Sequence, residues 1–368
     1  MKQKPNKGRG KGKPLVKTSD FLWTRGVDER IDELDYLLGD RPKGPRGGGL
    51  FGDRPKPPRG GGLFGDRPKP PRGGGLFGLG YIPDRPDGRD FDVHRLAETA
   101  GGKSFVAGFC KHEGHGKYVQ VPKAMDLRKL GDFRAVSHQG ATQSCTAHAV
   151  TAMVEYHLSL QPRVGRELSR LFLYKVAREL IGIEGDRGCT MRDTLKAISK
   201  WGCLEEVDWP FDVPWLERLP RVGDLDQAME GPARGMGYCR LDGYNLTGEK
   251  TLENVLHALA DGFPVALGMS LYSSIDDMGS KALIPVPEKG ERVIGAHAVL
   301  AVGYEASGGR GERKGTLTIR NSWGSEWGDR GHAHLPFEYV TQQHAVDFWT
   351  MYPAQQKKVA GTTAGRSR

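Results

Sequence analysis

Five cysteines, at positions 110, 145, 189, 203 and 239, are the residues best equipped for covalent chemistry. A thiolate is the reacting form, so the thiol that matters should sit where negative charge is favoured. Cys145 opens an expected helix running from Thr146 to Leu158, and the positive end of a helix dipole favours an anion there. Cys203 follows an expected helix end, where the dipole has the opposite sign. Cys189 precedes another expected helix and is the rival on this criterion. Cys110 lies in a Gly/His-rich loop, and Cys239 in a stretch without clear period. Placement alone does not decide, since buried inert thiols are common.

The flanking residues sharpen the choice. Gln139 stands six residues before Cys145 in Gln-Gly-Ala-Thr-Gln-Ser-Cys. From there its amide can donate to a developing oxyanion, with the backbone N–H of Cys145 as second donor. Downstream, His297 heads the apolar run Ala298–Tyr304, which reads as a strand with the histidine at its mouth. Asn321 follows in Ile-Arg-Asn-Ser-Trp-Gly, where an amide can orient the imidazole and Trp323 can shield that bond from water.

These three blocks, in this order, resemble the papain-like cysteine peptidases over roughly residues 78–352. Trp323-Gly324-Ser325-Glu326-Trp327-Gly328 is the most family-specific piece. Asp126-Leu127-Arg128 and the stretch Pro83–Asp90 look like bacterial members. The resemblance implies an α+β fold, with a helical left subdomain carrying Cys145, a β-barrel-like right subdomain carrying His297 and Asn321, and the active-site cleft between. It implies a Cys145 thiolate paired with a His297 imidazolium, oriented by Asn321, with Gln139 and the Cys145 N–H as oxyanion hole. It also implies that Gly188, Cys189, Thr190, Met269 and Ala296 fall near the principal specificity pocket, with Trp323 beside the substrate. The implied substrate is a peptide or protein, and the implied activity is cysteine-type endopeptidase. A catalytically silent scaffold used for binding, and acyl or peptidyl transfer on the same site, stay open as alternatives. The Cys-to-His spacing of 152 leaves room for insertions, at 272–294 and 305–315. Departures are Thr142 where many members carry a disulfide cysteine, Thr146 in place of an aromatic, Gln143 in place of a glycine, and His148 soon after. No recognisable inhibitory helix motif occurs in residues 1–125.

The elements that must position these groups are legible in the apolar periodicity. Helices are expected at 146–158, 169–181, from Thr190 (a capping box with Asp193) to about 201, and at 251–260. Strands are expected at 265–271, 298–304, 316–321 and 331–335. Helices first and strands afterwards agree with two subdomains of different class.

The charge is uneven. Residues 1–77 hold 18 basic and 9 acidic side chains, while the remainder hold 36 of each, so the net +9 belongs to the N-terminal arm. A uniformly basic nucleic-acid-binding body is excluded; a basic tail touching an anionic partner or nucleic acid is not. Residues 1–38 read as a basic tail with a short amphipathic helix. Residues 39–77 repeat Gly-Asp-Arg-Pro-Lys-Pro-Pro-Arg-Gly-Gly-Gly-Leu-Phe three times, with Gly44 in place of a proline in the first copy. One Leu-Phe pair per unit, with proline and glycine triplets, favours a disordered linker over a solenoid. Residues 78–125 read as an extension or pro-segment-like wrap, 126–352 as the peptidase domain, and 353–368 as a disordered tail.

No apolar run is long enough for a membrane span, and no standard signal peptide is visible, which favours the cytoplasm; a monomer is expected. Cys110, His112 and His115 hint at zinc, but with no obvious fourth ligand they read as a polar loop. No metal or other cofactor is expected.

Overall fold

A computed structural model of the chain describes residues 79–84, 86, 87, 90, 121–161, 166–307 and 314–352. The basic tail, the tandem repeats, the Cys110–His115 loop and the last sixteen residues lie outside the described set. Among the described residues no helix is long and apolar enough to cross a membrane.

The first elements are two short strands, β1 (Tyr81–Ile82) and β2 (Ala124–Asp126). Helix α1 (Cys145–Ser159) is buried over all but its last residue, so it has no solvent stripe and forms the centre of the molecule. Helix α2 (Arg170–Ile181) is capped by Ser169, whose side chain accepts from the Phe172 N–H, and is closed by Gly182 at φ 66°. After β3 (Cys189–Thr190) comes α3 (Met191–Trp201). Thr190 starts it by accepting from the Asp193 N–H at 3.0 Å while donating its hydroxyl to that carboxylate at 2.7 Å. The chain continues through α4 (Val222–Glu230), β4 (Gly237–Arg240) and α5 (Gly248–Ala260). It ends in β5 (Val265–Tyr272), β6 (Val293–Ser307), β7 (Lys314–Arg320), β8 (His332–Pro336), the single turn α6 (Glu338–Thr341) and β9 (Ala345–Tyr352).

The large sheet runs β4-β9-β5-β6-β7-β8, with β2 added on β6, and every pairing in it is antiparallel. Both of its faces are buried. Val299 and Ala301 join a core with Leu252, Val255 and Leu259 of α5. Ala298, Leu300 and Val302 turn the other way, into a core with Met153, Phe172 and Ile198 of the helical lobe. That two-sided burial is why residues 298–304 read as an unbroken apolar run instead of an alternating one.

Two differences from the expected elements bear on the site. Strand β6 begins at Val293, so His297 lies inside a strand instead of at its mouth. Strand β9 was not expected: Asp347 interrupts its apolar pattern, with φ 63° at an irregularity in the pairing to β5. Helix α4 buries only Leu225 and Ala228, too few to give a helical period.

Candidate active site

Cys145 is the first residue of α1 and is fully buried. The backbone N–H groups of Ala298, Thr146 and Cys145 itself act on its sulfur. Strand β6 thus brings the residue next to His297 against the helix N-terminus. In the ladder to β5, Met269 pairs with His297 and Gly268 with Ala298.

His297 is held on one side only. Its Nε2 lies 2.7 Å from Asn321 Oδ1. That oxygen also accepts from the Ser322 N–H at 2.7 Å, so it is the amide carbonyl, and Nε2 must be the nitrogen bearing the proton. Nδ1 has no partner among the described residues, which leaves its lone pair free to receive a proton. Trp323 stacks on the imidazole at 4.6 Å and 27°, and Trp327 meets Trp323 edge-on at 5.3 Å. Together they screen the His297–Asn321 bond from water.

Gln139 is anchored from β7's end of the sheet. Its N–H donates to Ser322 O at 2.9 Å, and its Oε1 accepts from the Ser322 hydroxyl at 2.5 Å. This fixes the amide so that Nε2 donates to Thr142 O at 2.7 Å and, over a long 3.4 Å, to the carbonyl of Leu79. Thr146 is buried and pairs with the hydroxyl of Thr194 at 3.1 Å, an environment that suits a hydroxyl and not an aromatic ring.

The cleft is filled by the chain itself. β1 lies parallel to β3, with Tyr81 opposite Cys189 and Ile82 opposite Thr190, and Gly80 O accepts from the Cys189 N–H at 2.9 Å. Gly80 has φ 130°, and a Cβ there would come within 2.1 Å of Gln143 O. Only glycine passes that point. The side chain of Leu79 covers Gly295, and the ring of Tyr81 covers Gly268, in each case so closely that a Cβ on the glycine would collide with it. The Tyr81 hydroxyl donates to Asp347 Oδ2 at 2.8 Å. Beyond it, Arg192 pairs with Asp84 and Asp90, and Arg240 pairs with Asp90, Asp242 and Asp347. Burial, ahead of these ion pairs, raises the Asp84 carboxyl above its usual range.

This filling bears on the charge of both groups. Burial pushes the Cys145 thiol up to about 12 and the His297 imidazole down to about 4. No hydrogen bond joins the two side chains, since Nδ1 is without a partner. Burial by the occupying segment thus works against both charges of the expected thiolate–imidazolium pair.

The other residues singled out from the sequence fall as follows. Cys189 and Gly188 lie directly under Gly80. Ala296 is partly buried beside the helical core. Met269 is buried in the other core, and it is Gly268, one residue away, that receives the Tyr81 ring. None of the four described cysteines is in a disulfide and all are buried, and burial raises the Cys189 thiol to about 12 as well. No group of residues suited to hold a metal occurs among the described residues. Sequence reasoning missed Asp186, Gly268, Arg192, Arg240 and Asp347. Asp186 Oδ1 accepts from the Gln143 N–H at 2.9 Å and the Tyr174 hydroxyl at 2.7 Å, and Tyr174 in turn receives the Gly188 N–H at 2.9 Å. A lone aspartate in a glycine-rich loop gives no local sign of that work.

A helical lobe supplying a thiol at a helix N-terminus, against a sheet lobe supplying an Asn-held imidazole, defines a class of thiol hydrolase fold. Residues 121–346 match the family described as papain family cysteine protease, and the chain belongs to that family. An uncharacterized peptidase C1-like protein of Acanthamoeba polyphaga mimivirus is 31% identical over 279 residues, covering 73% of this chain and 85% of that protein. Cathepsin Q of Rattus norvegicus is 29% identical over 227 residues; the match spans 58% of each protein. Among solved structures, xylellain, a cysteine protease from Xylella fastidiosa, superposes with a TM-score of 0.58 at 28% identity, over 76% of this chain and 97% of that one.

Proposed function

We propose that the protein is a cysteine endopeptidase acting through Cys145, His297, Asn321 and Gln139, and that residues 79–84 hold it closed. The observation that carries the reading is the one-sided imidazole: Nε2 tied to Asn321 Oδ1 at 2.7 Å, Nδ1 free, on the strand whose next residue touches the thiol.

The chemistry follows from that arrangement. His297 Nδ1 takes the Cys145 proton, and the sulfur attacks the substrate carbonyl carbon. The carbonyl oxygen becomes an oxyanion bonded by the Cys145 N–H and Gln139 Nε2. His297 then gives its proton to the leaving nitrogen, the C–N bond breaks, and a thioester remains. Water, deprotonated by the same nitrogen, attacks the thioester, and release of the carboxylic acid restores the thiol. Asn321 holds the imidazole in the working tautomer throughout.

The long contact from Gln139 Nε2 to Leu79 O supports the oxyanion role, because a peptide carbonyl already rests on that donor. Support for internal cleavage comes from the same segment: a main chain passes through the cleft without ending there, so the cleft admits the interior of a polypeptide. The segment must leave before substrate binds. Solvent then re-enters, the penalty on both charges falls, and the pair can ionise.

The test is alkylation with iodoacetamide near pH 6, with peptide mapping, alongside cleavage of a peptide library. Cys145 should react faster than the other thiols once residues 1–90 are removed or displaced, and Cys145→Ala should cleave nothing. Equal reactivity of all thiols in the opened protein would sink the proposal.

A further inference from the structure

Behind the His297–Asn321 pair lies a small polar cavity lined by Ser137, His148, Ala298, Arg320, Asn321 and Ser322. It has room for one guest about the size of a water molecule. Arg320 is only 5% exposed. Its guanidinium donates to Ala135 O at 2.8 Å, and it forms no ion pair among the described residues. His148 is 4% exposed; its Nδ1 lies 2.7 Å from the Ser137 hydroxyl, and its Nε2 has no partner among the described residues.

Beyond burial, the strongest charged or titratable influences on His148 come from Arg170, Arg320, His297 and His138. Glu155 is the acid that acts on Arg320, but its Oε1 already accepts from the Leu168 N–H at 2.8 Å and lies 3.7 Å from Arg170. Arg170 also has Glu167 and Glu206, at 2.9 and 3.1 Å. The acids in this part of the core are thus grouped on Arg170, and Arg320, which lines the cavity, has no ion-pair partner among the described residues. A buried cation without one is costly, and a buried ring nitrogen without a partner adds to that cost. A guest that accepts hydrogen bonds and carries negative charge relieves both.

We propose that this cavity is a binding site for a small monovalent anion of the chloride class, held between the Arg320 guanidinium and the Nε2–H of His148. His148 then takes the tautomer in which Nδ1 accepts from the Ser137 hydroxyl. The anion lies against Asn321, the residue that orients His297, and its field favours the imidazolium. Resting on the catalytic reading above, chloride then raises peptidase activity; the binding itself does not depend on that reading.

The experiment uses the full-length protein. Crystals grown or soaked with bromide in place of chloride should show an anomalous peak in the cavity. In solution, chloride-35 NMR should show excess line broadening at about 0.15 M chloride, the physiological ionic strength. His148→Phe should reduce that broadening severalfold and Arg320→Met should abolish it; should Arg320→Met fail to fold, His148→Phe and the bromide map decide. Peptidase rates in chloride, compared with gluconate at equal ionic strength, form a separate arm. A rate gain in chloride that disappears in His148→Phe supports the proposal. A cavity holding water with no anomalous signal, while surface bromide sites are occupied, overturns it. So does line broadening that both folded variants retain in full. An anomalous peak in a protein that cleaves nothing even after residues 1–90 are removed upholds the site and counts against the catalytic reading alone.

Discussion

At the scale of single residues, the site depends on which atom of His297 is left free. Asn321 Oδ1 accepts from two N–H groups, and this forces the proton onto Nε2 and the lone pair onto Nδ1. Asn321→Ala should therefore lower kcat by roughly 10²-fold, with little change in KM, because the tautomer and ring orientation are lost and substrate contacts are not. Gln139→Ala should lower kcat by about 10²–10³-fold through loss of an oxyanion donor. Steady-state kinetics on protein freed of residues 1–90 would check both; an effect confined to KM would remove these residues from the reaction.

At the scale of elements, the decisive contact is between β1 and β3. Gly80 passes within 2.1 Å of Gln143 O, measured to a notional Cβ, and Gly188 leaves even less room on the other side, 2.0 Å to Gly80 O. Gly80→Ala should thus push the segment out of the cleft and raise the peptidase rate of the full-length chain. Asp84 is tied to Arg192, and its main-chain N–H donates to Asp347 Oδ2 at 3.0 Å. Losing a charge-assisted bond of this kind costs about 1.5–3 kcal/mol, so Asp84→Asn should raise the rate by roughly tenfold or more. Initial rates on a short peptide, measured before any chain processing, test both variants. Rates equal to the unaltered chain would mean that the segment does not govern access.

These elements were unequally legible. Helices α1 and α5 announced themselves through apolar periodicity, and α2 and α3 also through caps and a stopping glycine: Ser169, the Thr190–Asp193 box and Gly182 all lie where the chain's own chemistry demands them. Cys145, Gln139, His297 and Asn321 were legible because each belongs to a block with recognisable neighbours. Strand β9 was not, since Asp347 breaks its pattern and its partners β4 and β5 lie far away in sequence. The same holds for Asp186, Gly268, Arg192 and Arg240, whose roles exist only through residues brought from elsewhere.

At the scale of the whole molecule, several buried histidines set the response to acid. Burial depresses His157, His297 and His332 each to about 4. Their folded pKa values lie below the unfolded value near 6.5, so the stability they contribute is present above that pH and is lost as pH falls toward 4. Glu155, raised to about 7, and Asp242, raised to about 6, act with opposite sign and recover part of it. Burial depresses His148 with them and raises Asp84, so four imidazoles stand against three carboxylates and the net is a loss. The melting temperature of Cys145→Ala, followed by calorimetry, should fall between pH 6.5 and 4; an unchanged value would show that the imidazoles are hydrated in solution. The arm adds a separate property. With 18 basic side chains against 9 acidic in residues 1–77, binding to a polyanion such as heparin should weaken steeply with salt and vanish when those residues are deleted.

The order of the lobes, the thiol, the imidazole and its amide partner were all written in local sequence, because helix caps, strand runs and short functional blocks are made by neighbours along the chain. That the cleft is filled, that burial there works against charge on both the thiol and the imidazole, and that Arg320 lines a cavity with no ion-pair partner among the described residues were decided only by tertiary structure. Each of these depends on exclusion of water by segments distant in sequence, such as Leu79 over Gly295 or Tyr81 on Asp347, and solvent exclusion has no signature in a linear string of residues.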